Sequence, residues 1–255
     1  MKTTALLVAL SLSGALAAVA NAASVTKTAI GNATVQAGGP RTGNNGLIDM
    51  NVEGLANGSF ASYAVVDFNG FGLTGNTAVS NLTLSLTEAN ASFTSPGTLD
   101  VYLAGSASAS IANSGGSPLT FDSTVTSDPI GINSTNLSSL GGLTLLGTLA
   151  FNTSGNTGSG TVDTFTLNSL TASEQSFISN LLNTNGTLRF VLTEAANPAA
   201  TAMAATFAGF SNTNPLTPGP QLTLVTNGTT AAAPEPASLG VLAMGAIGLL
   251  VRRRK

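Results

Sequence analysis

The chain has 255 residues, 43% of them hydrophobic and only 7% charged, with a formal net charge of −3. That is apolar enough for a core and too weakly charged for the usual kind of disorder. It holds no cysteine, histidine or tryptophan, which excludes disulfides, thiolate metal sites, imidazole acid–base chemistry and a Ser-His triad.

The first segment reads MKTTALLVALSLSGALAAVANAAS. Lys2 gives a short positive region, residues 5–20 an apolar run, and Ala20-Asn21-Ala22 a small-x-small site followed by Ala23. Together these predict a secretory signal peptide over 1–22, its apolar part helical, cut after Ala22. The Sec machinery and signal peptidase are the partners this implies.

Residues 23–226 form the expected body. Without the two terminal segments its only cations are Lys27, Arg41 and Arg189, against ten carboxylates, a net charge of −7. Such a body repels phosphate, so no nucleic-acid partner is expected. Apolar and hydroxylic residues alternate in 82–87 (LTLSLT), 99–103, 188–193 and 222–225. Further strands are expected at 60–68, 119–126, 143–151, 161–167 and 204–210. Asn57-Gly58, Asn69-Gly70 and Asn185-Gly186 mark turns. One stretch breaks the two-residue period. Thr171 and Glu174 have capping-box spacing, and Phe177, Ile178, Leu181 and Leu182 follow at helical spacing, predicting one short helix over 172–183. The fold class is therefore all-β, an antiparallel sandwich with one short helix over an end or edge. Residues 227–233 read as a small-residue linker.

Candidate chemistry in the body is sparse. Tyr63 and Tyr102 are the candidate sugar-stacking side chains. Asp122, Asp128 and Asp163 lie in or beside oxygen-rich loops and are the candidate ligands for a structural calcium ion, although no dense D-x-D-x-D spacing occurs. No other cofactor and no catalytic residue is expected. Glycoside hydrolysis would need two carboxylates facing one cleft, and the sequence links no two.

The last segment, APEPASLGVLAMGAIGLLVRRRK, runs from a proline-flanked glutamate through fifteen uncharged residues, 237–251, to four cations. As a helix the uncharged run spans about 22 Å, short of the roughly 30 Å hydrocarbon core. It predicts a short, strained transmembrane helix with Arg252, Arg253, Arg254 and Lys255 held on the cytoplasmic side. Pro234, Glu235 and Pro236 would stay extended outside it.

In that order, triplet, apolar helix and basic cluster resemble a PEP-CTERM sorting signal over 234–255. The resemblance implies a Gram-negative host that makes exopolysaccharide. It also implies an exosortase, a membrane-embedded cysteine transpeptidase, that recognises Pro234, Glu235 and Pro236 and cuts nearby. The strand rhythm of the body resembles the DNRLRE-type, carbohydrate-binding-module-like jelly rolls, but lacks that family's arginine-bearing motif. The expectation is a non-enzymatic exported protein, anchored transiently in the inner membrane and then sited at the cell surface or in the extracellular matrix. Its role would be structural or adhesive. Binding to matrix exopolysaccharide is the alternative, and a glycoside-active enzyme a more distant one.

Overall fold

A computed structural model describes residues 23–41, 44–73, 78–111, 119–151, 159–167, 170–196 and 202–227. The body, Ala22–Asn227, is one compact unit. The signal segment, the triplet, the apolar run and the basic cluster lie outside the described residues, as do both terminal helices expected from sequence. Among the described residues no helix is long and apolar enough to cross a membrane.

Twelve strands build the body. They are β1 (Ala23–Thr28), β2 (Gly31–Gln36), β3 (Gly39–Pro40), β4 (Asp49–Glu53), β5 (Ser62–Phe68), β6 (Ala78–Thr87), β7 (Gly97–Ala104), β8 (Leu143–Phe151), β9 (Val162–Leu167), β10 (Leu188–Glu194), β11 (Ala204–Ala208) and β12 (Gln221–Asn227). Four form a small sheet in the order β1-β12-β6-β9, and the other eight a large one along β11-β4-β5-β10-β7-β8, with β2 and β3 attached through β5. All pairings are antiparallel. The body is thus a two-sheet sandwich, as its alternating sequence implies; the jelly-roll comparison rests on strand rhythm alone.

The inter-sheet core follows from the alternation. Leu82, Leu84 and Leu86 of β6, Leu222 and Leu224 of β12, and Phe165 and Leu167 of β9 meet Val66, Phe68, Val101, Phe190 and Phe207 of the large sheet. Phe68 and Phe190 pack edge-to-face with centroids 5.9 Å apart. The helix expected over 172–183 forms as Ala172–Asn183 and inserts Ile178 and Leu182 into this core. The Thr171 hydroxyl accepts from the Glu174 amide at 3.3 Å and the Glu174 carboxylate from the Thr171 amide at 2.6 Å, closing the capping box. Asn185, at φ 53°, stops the helix in the left-handed region.

The central strands β5 and β10 of the large sheet are buried on both faces, which a two-layer sandwich does not require. The connection from β7 to β8 folds back over the sheet's outer face. Leu119, Ile132 and Leu140 from that connection pack on Ala33, Val35, Tyr63, Val65, Tyr102 and Val191, making a second core. This corrects the strand expected at 119–126: those residues form turns and irregular chain, because their apolar members cap a sheet face instead of joining its ladder. The connection carries a further helix (Ser134–Ser139), capped by the Asn133 side chain, which accepts from the Asn136 amide at 3.0 Å. With a third short helix at Asn44–Ile48, the single helix expected in the body becomes three α-helices among the described residues. Where the connection leaves and rejoins the sheet, Gly105 lies so close to the Gly141 carbonyl that a Cβ would sit 2.1 Å from its oxygen, so no larger residue fits.

Arg189 fastens this layer. It faces Asp67 across β10 and β5 and grips both carboxylate oxygens at 2.8 Å, while Nη1 donates to the Ala109 carbonyl at 2.8 Å. Both residues are buried. Arg189→Ala leaves the Asp67 carboxylate buried without its counter-ion, so a loss of about 3–5 kcal/mol is expected in denaturant unfolding. The paired change Arg189→Met with Asp67→Leu, which removes both charges together, is expected to lose much less.

Candidate functional site

Burial decides the fate of the two tyrosines. Tyr63 is 0% and Tyr102 4% exposed. Tyr63 stacks on Phe121 with centroids 6.2 Å apart, and its hydroxyl donates to the Thr120 carbonyl at 3.2 Å. The Tyr102 hydroxyl points at the Asp100 carboxylate, 3.5 Å away. Neither ring can stack on a sugar. They occupy the outward positions of their strands, as the alternation implies, but outward here means under the β7–β8 layer.

The three aspartates do not converge. Asp122 is exposed in a turn, where its Oδ1 accepts from the Thr124 amide at 3.0 Å and hydroxyl at 2.6 Å; those bonds hold its carboxyl below the usual range. Asp128 accepts from the Ala196 amide at 2.9 Å and lies beside Asp100. Asp163 belongs to β9 and faces Glu88. Among the described residues no three acidic side chains gather as metal ligands would, so Asp122, Asp128 and Asp163 do not form one calcium site. Of the signal-cleavage residues only Ala23 is described; it opens β1 and pairs with Thr226 of β12. Ala20, Ala22, Pro234, Glu235, Pro236, Arg252, Arg253, Arg254 and Lys255 lie outside the described residues.

Two pairs of carboxyls do meet. Asp100 and Asp128 approach at the outer face, where burial raises the Asp100 carboxyl although hydroxyl donors, Thr148 first, pull the other way. Thr148, Tyr102 and the Ala196 amide supply donors to that pair. The second pair is less well served. Glu88 is fully buried, and both of its carboxyl oxygens, with Oδ2 of Asp163, lack a hydrogen-bond partner. Glu88 sits where the chain leaves β6 for the large sheet. Its amide donates to the Thr161 carbonyl, its carbonyl accepts from Gly160, and it bridges to Phe207. Glu88 continues the inward series Leu82, Leu84, Leu86, and Asp163 the series Leu167, Phe165, so both project toward the interior. Burial first, then the neighbouring Asp163, pushes the Glu88 carboxyl up to about 7, and burial raises Asp163 as well. The alternation of 82–87 carried one step further reaches Glu88, a step the sequence does not invite because an isolated carboxylate reads as solvated; its partner, 75 positions on, has no local signal at all.

A groove of about 280 Å³ lies elsewhere, lined by Glu53, Asn57, Phe60, Ser92, Phe93 and Ser95 among others. Phe60 and Phe93 are 63% and 64% exposed. Phe60 was expected to open a strand; instead it ends a 3₁₀ turn, Leu55–Phe60, and the strand starts at Ser62. Neither carboxyl pair lines this groove or three others formed by described residues, beside Ala172–Asn183, beside Phe121 and beside Phe210.

Comparison with known proteins decides the terminal segment. Residues 232–255 match the model of the PEP-CTERM protein-sorting motif. The chain carries a PEP-CTERM sorting signal. It is therefore an exported protein that an exosortase, a membrane enzyme, sorts and processes. No curated protein matches the chain. A solved structure of infectious bursal disease virus, Gx strain, is 10% identical; the alignment covers 84% of this chain and 38% of that one, at a TM-score of 0.19. So slight a likeness carries no argument about fold or role.

The raised carboxyls set the pH dependence of the body. Between the ordinary glutamate range and about pH 7 the unfolded chain has released the Glu88 proton while the folded chain still holds it, so folding weakens as pH rises through that window. In chelator, the melting temperature is expected to fall from pH 5 to pH 8, by the equivalent of about 2 kcal/mol. Glu88→Gln is expected to flatten that slope.

Proposed function

We propose that the body is a non-enzymatic structural or adhesive component, delivered by the sorting signal to the cell surface or extracellular matrix. The observation that carries this reading is the pairing of that signal with a sandwich in which neither converging carboxyl pair lines the grooves described above. The absence of histidine and cysteine from the sequence supports it. A hydroxyl- and amide-rich surface with few charges suits a hydrated polysaccharide matrix. Mass spectrometry of the exported form is expected to show a chain beginning at Ala23 and ending near Pro234–Pro236. Deleting the exosortase, or replacing the triplet by alanines, is expected to leave the basic terminus attached. Intact termini on the exported form in the presence of exosortase would overturn the reading.

A second reading rests on the Phe60–Phe93 groove. Two exposed rings beside an amide, hydroxyls and a carboxylate suit the apolar face and hydroxyl rim of a pyranose. On this reading the body binds matrix exopolysaccharide through that groove, not through Tyr63 and Tyr102. Co-sedimentation with the host's polysaccharide is expected to weaken at least tenfold in Phe60→Ala/Phe93→Ala. Equal binding by the double variant would remove it.

A further inference from the structure

The Glu88–Asp163 pair poses a problem of accounting in oxygens. Three buried carboxyl oxygens, Oε1 and Oε2 of Glu88 and Oδ2 of Asp163, have no donor. Buried ionised carboxylates without partners are among the costliest arrangements in a protein interior. One proton shared between the two carboxyls makes one hydrogen bond and leaves the remaining oxygens unserved. Among the described residues no cation answers the charge: Arg189 is committed to Asp67 and Ala109, Arg41 donates to Asn51, and Lys27 sits in β1, which pairs only with β12 at the edge of the small sheet away from β9. A hard divalent cation serves several such oxygens at once, because calcium takes six to eight oxygen ligands with loose geometric demands.

We propose that Glu88 and Asp163 form a binding site for a hard divalent cation of calcium's type, seated where β6 passes from the small sheet to the large one. Glu88 offers two oxygens and Asp163 at least one; water completes the shell. The backbone around the pair is already fixed by the Glu88–Thr161 and Gly160–Glu88 hydrogen bonds, at 2.8 and 2.7 Å, so binding orders little new chain. An acidic body concentrates cations around itself. Export places it where modules with few charged ligands bind calcium at about 10⁻⁴–10⁻³ M. The cation ties β6, β9 and, through the Glu88–Phe207 bridge, β11 into one joint between the sheets.

The experiment uses the full-length chain in mild detergent, stripped with chelator and returned to pH 7.5. Isothermal titration with calcium chloride is expected to give one ion per chain. At a tenfold excess over Kd the melting temperature is expected to rise by roughly 3–6 °C, and magnesium to do markedly less. Glu88→Gln is expected to abolish both the binding heat and the rise; Asp163→Asn is the second variant should the first not fold. No calcium binding by the parent chain, with Glu88→Gln more stable than the parent at pH 7.5, would overturn the proposal in favour of a shared proton. Equal responses to calcium and magnesium that survive both substitutions would also overturn it, as ionic screening.

Discussion

The covering of the large sheet's outer face organises this body. An antiparallel sheet in a two-layer sandwich ordinarily keeps one face in water. Here the β7–β8 connection removes that face from solvent, so β5 and β10 are buried along their whole length. Everything polar on the outer face must then find a partner within the protein. Arg189 and Asp67 pair, Asp100 takes hydroxyls from Thr148 and Tyr102, and the Asn136 amide donates to the Thr120 carbonyl. The glycines at the neck of the connection let the layer lie flat against the sheet.

Few charges on the chain does not mean few charges that matter. Asp67, Glu88, Asp100, Arg189 and Glu194 are all buried, while much of the surface is left to serine, threonine, asparagine and glycine. Five of the thirteen charges in the body are thus held in its interior, a large share for groups that are almost never buried unpaired.

The sequence was legible where one periodicity acts alone. β6, β7, β8, β10, β12 and the Thr171-capped helix follow from alternation or helical spacing, and the terminal sorting signal from its ordered triplet, apolar run and cations. Legibility failed where a residue's role depends on a distant segment. The alternation around Tyr102 gave an outward face, but nothing local says that residues 119–140 will lie on it. The first four strands were missed because none carries a run of alternating apolar residues; β1 is held by its ladder to β12, β2 by its ladder to β5 and β4 mainly by its ladder to β11. The Glu88–Asp163 pair needed the β6–β9 register, in which Leu86 faces Asp163. Phe93 belongs to a three-residue turn that carries no periodic signal.

The ladder between β1 and β12 joins the two ends of the body, with the Thr26 and Thr223 hydroxyls meeting 197 positions apart. β12 also supplies the neighbour on which β6 and then β9 depend. The small sheet therefore cannot close until almost the entire body has been delivered to the far side of the membrane. Nucleation must wait for long-range loop closure, which makes folding slow. The two sheets thus differ in when they can form: β2, β3 and β5 of the large sheet find one another within residues 31–68, whereas β1 waits for the last strand of the body.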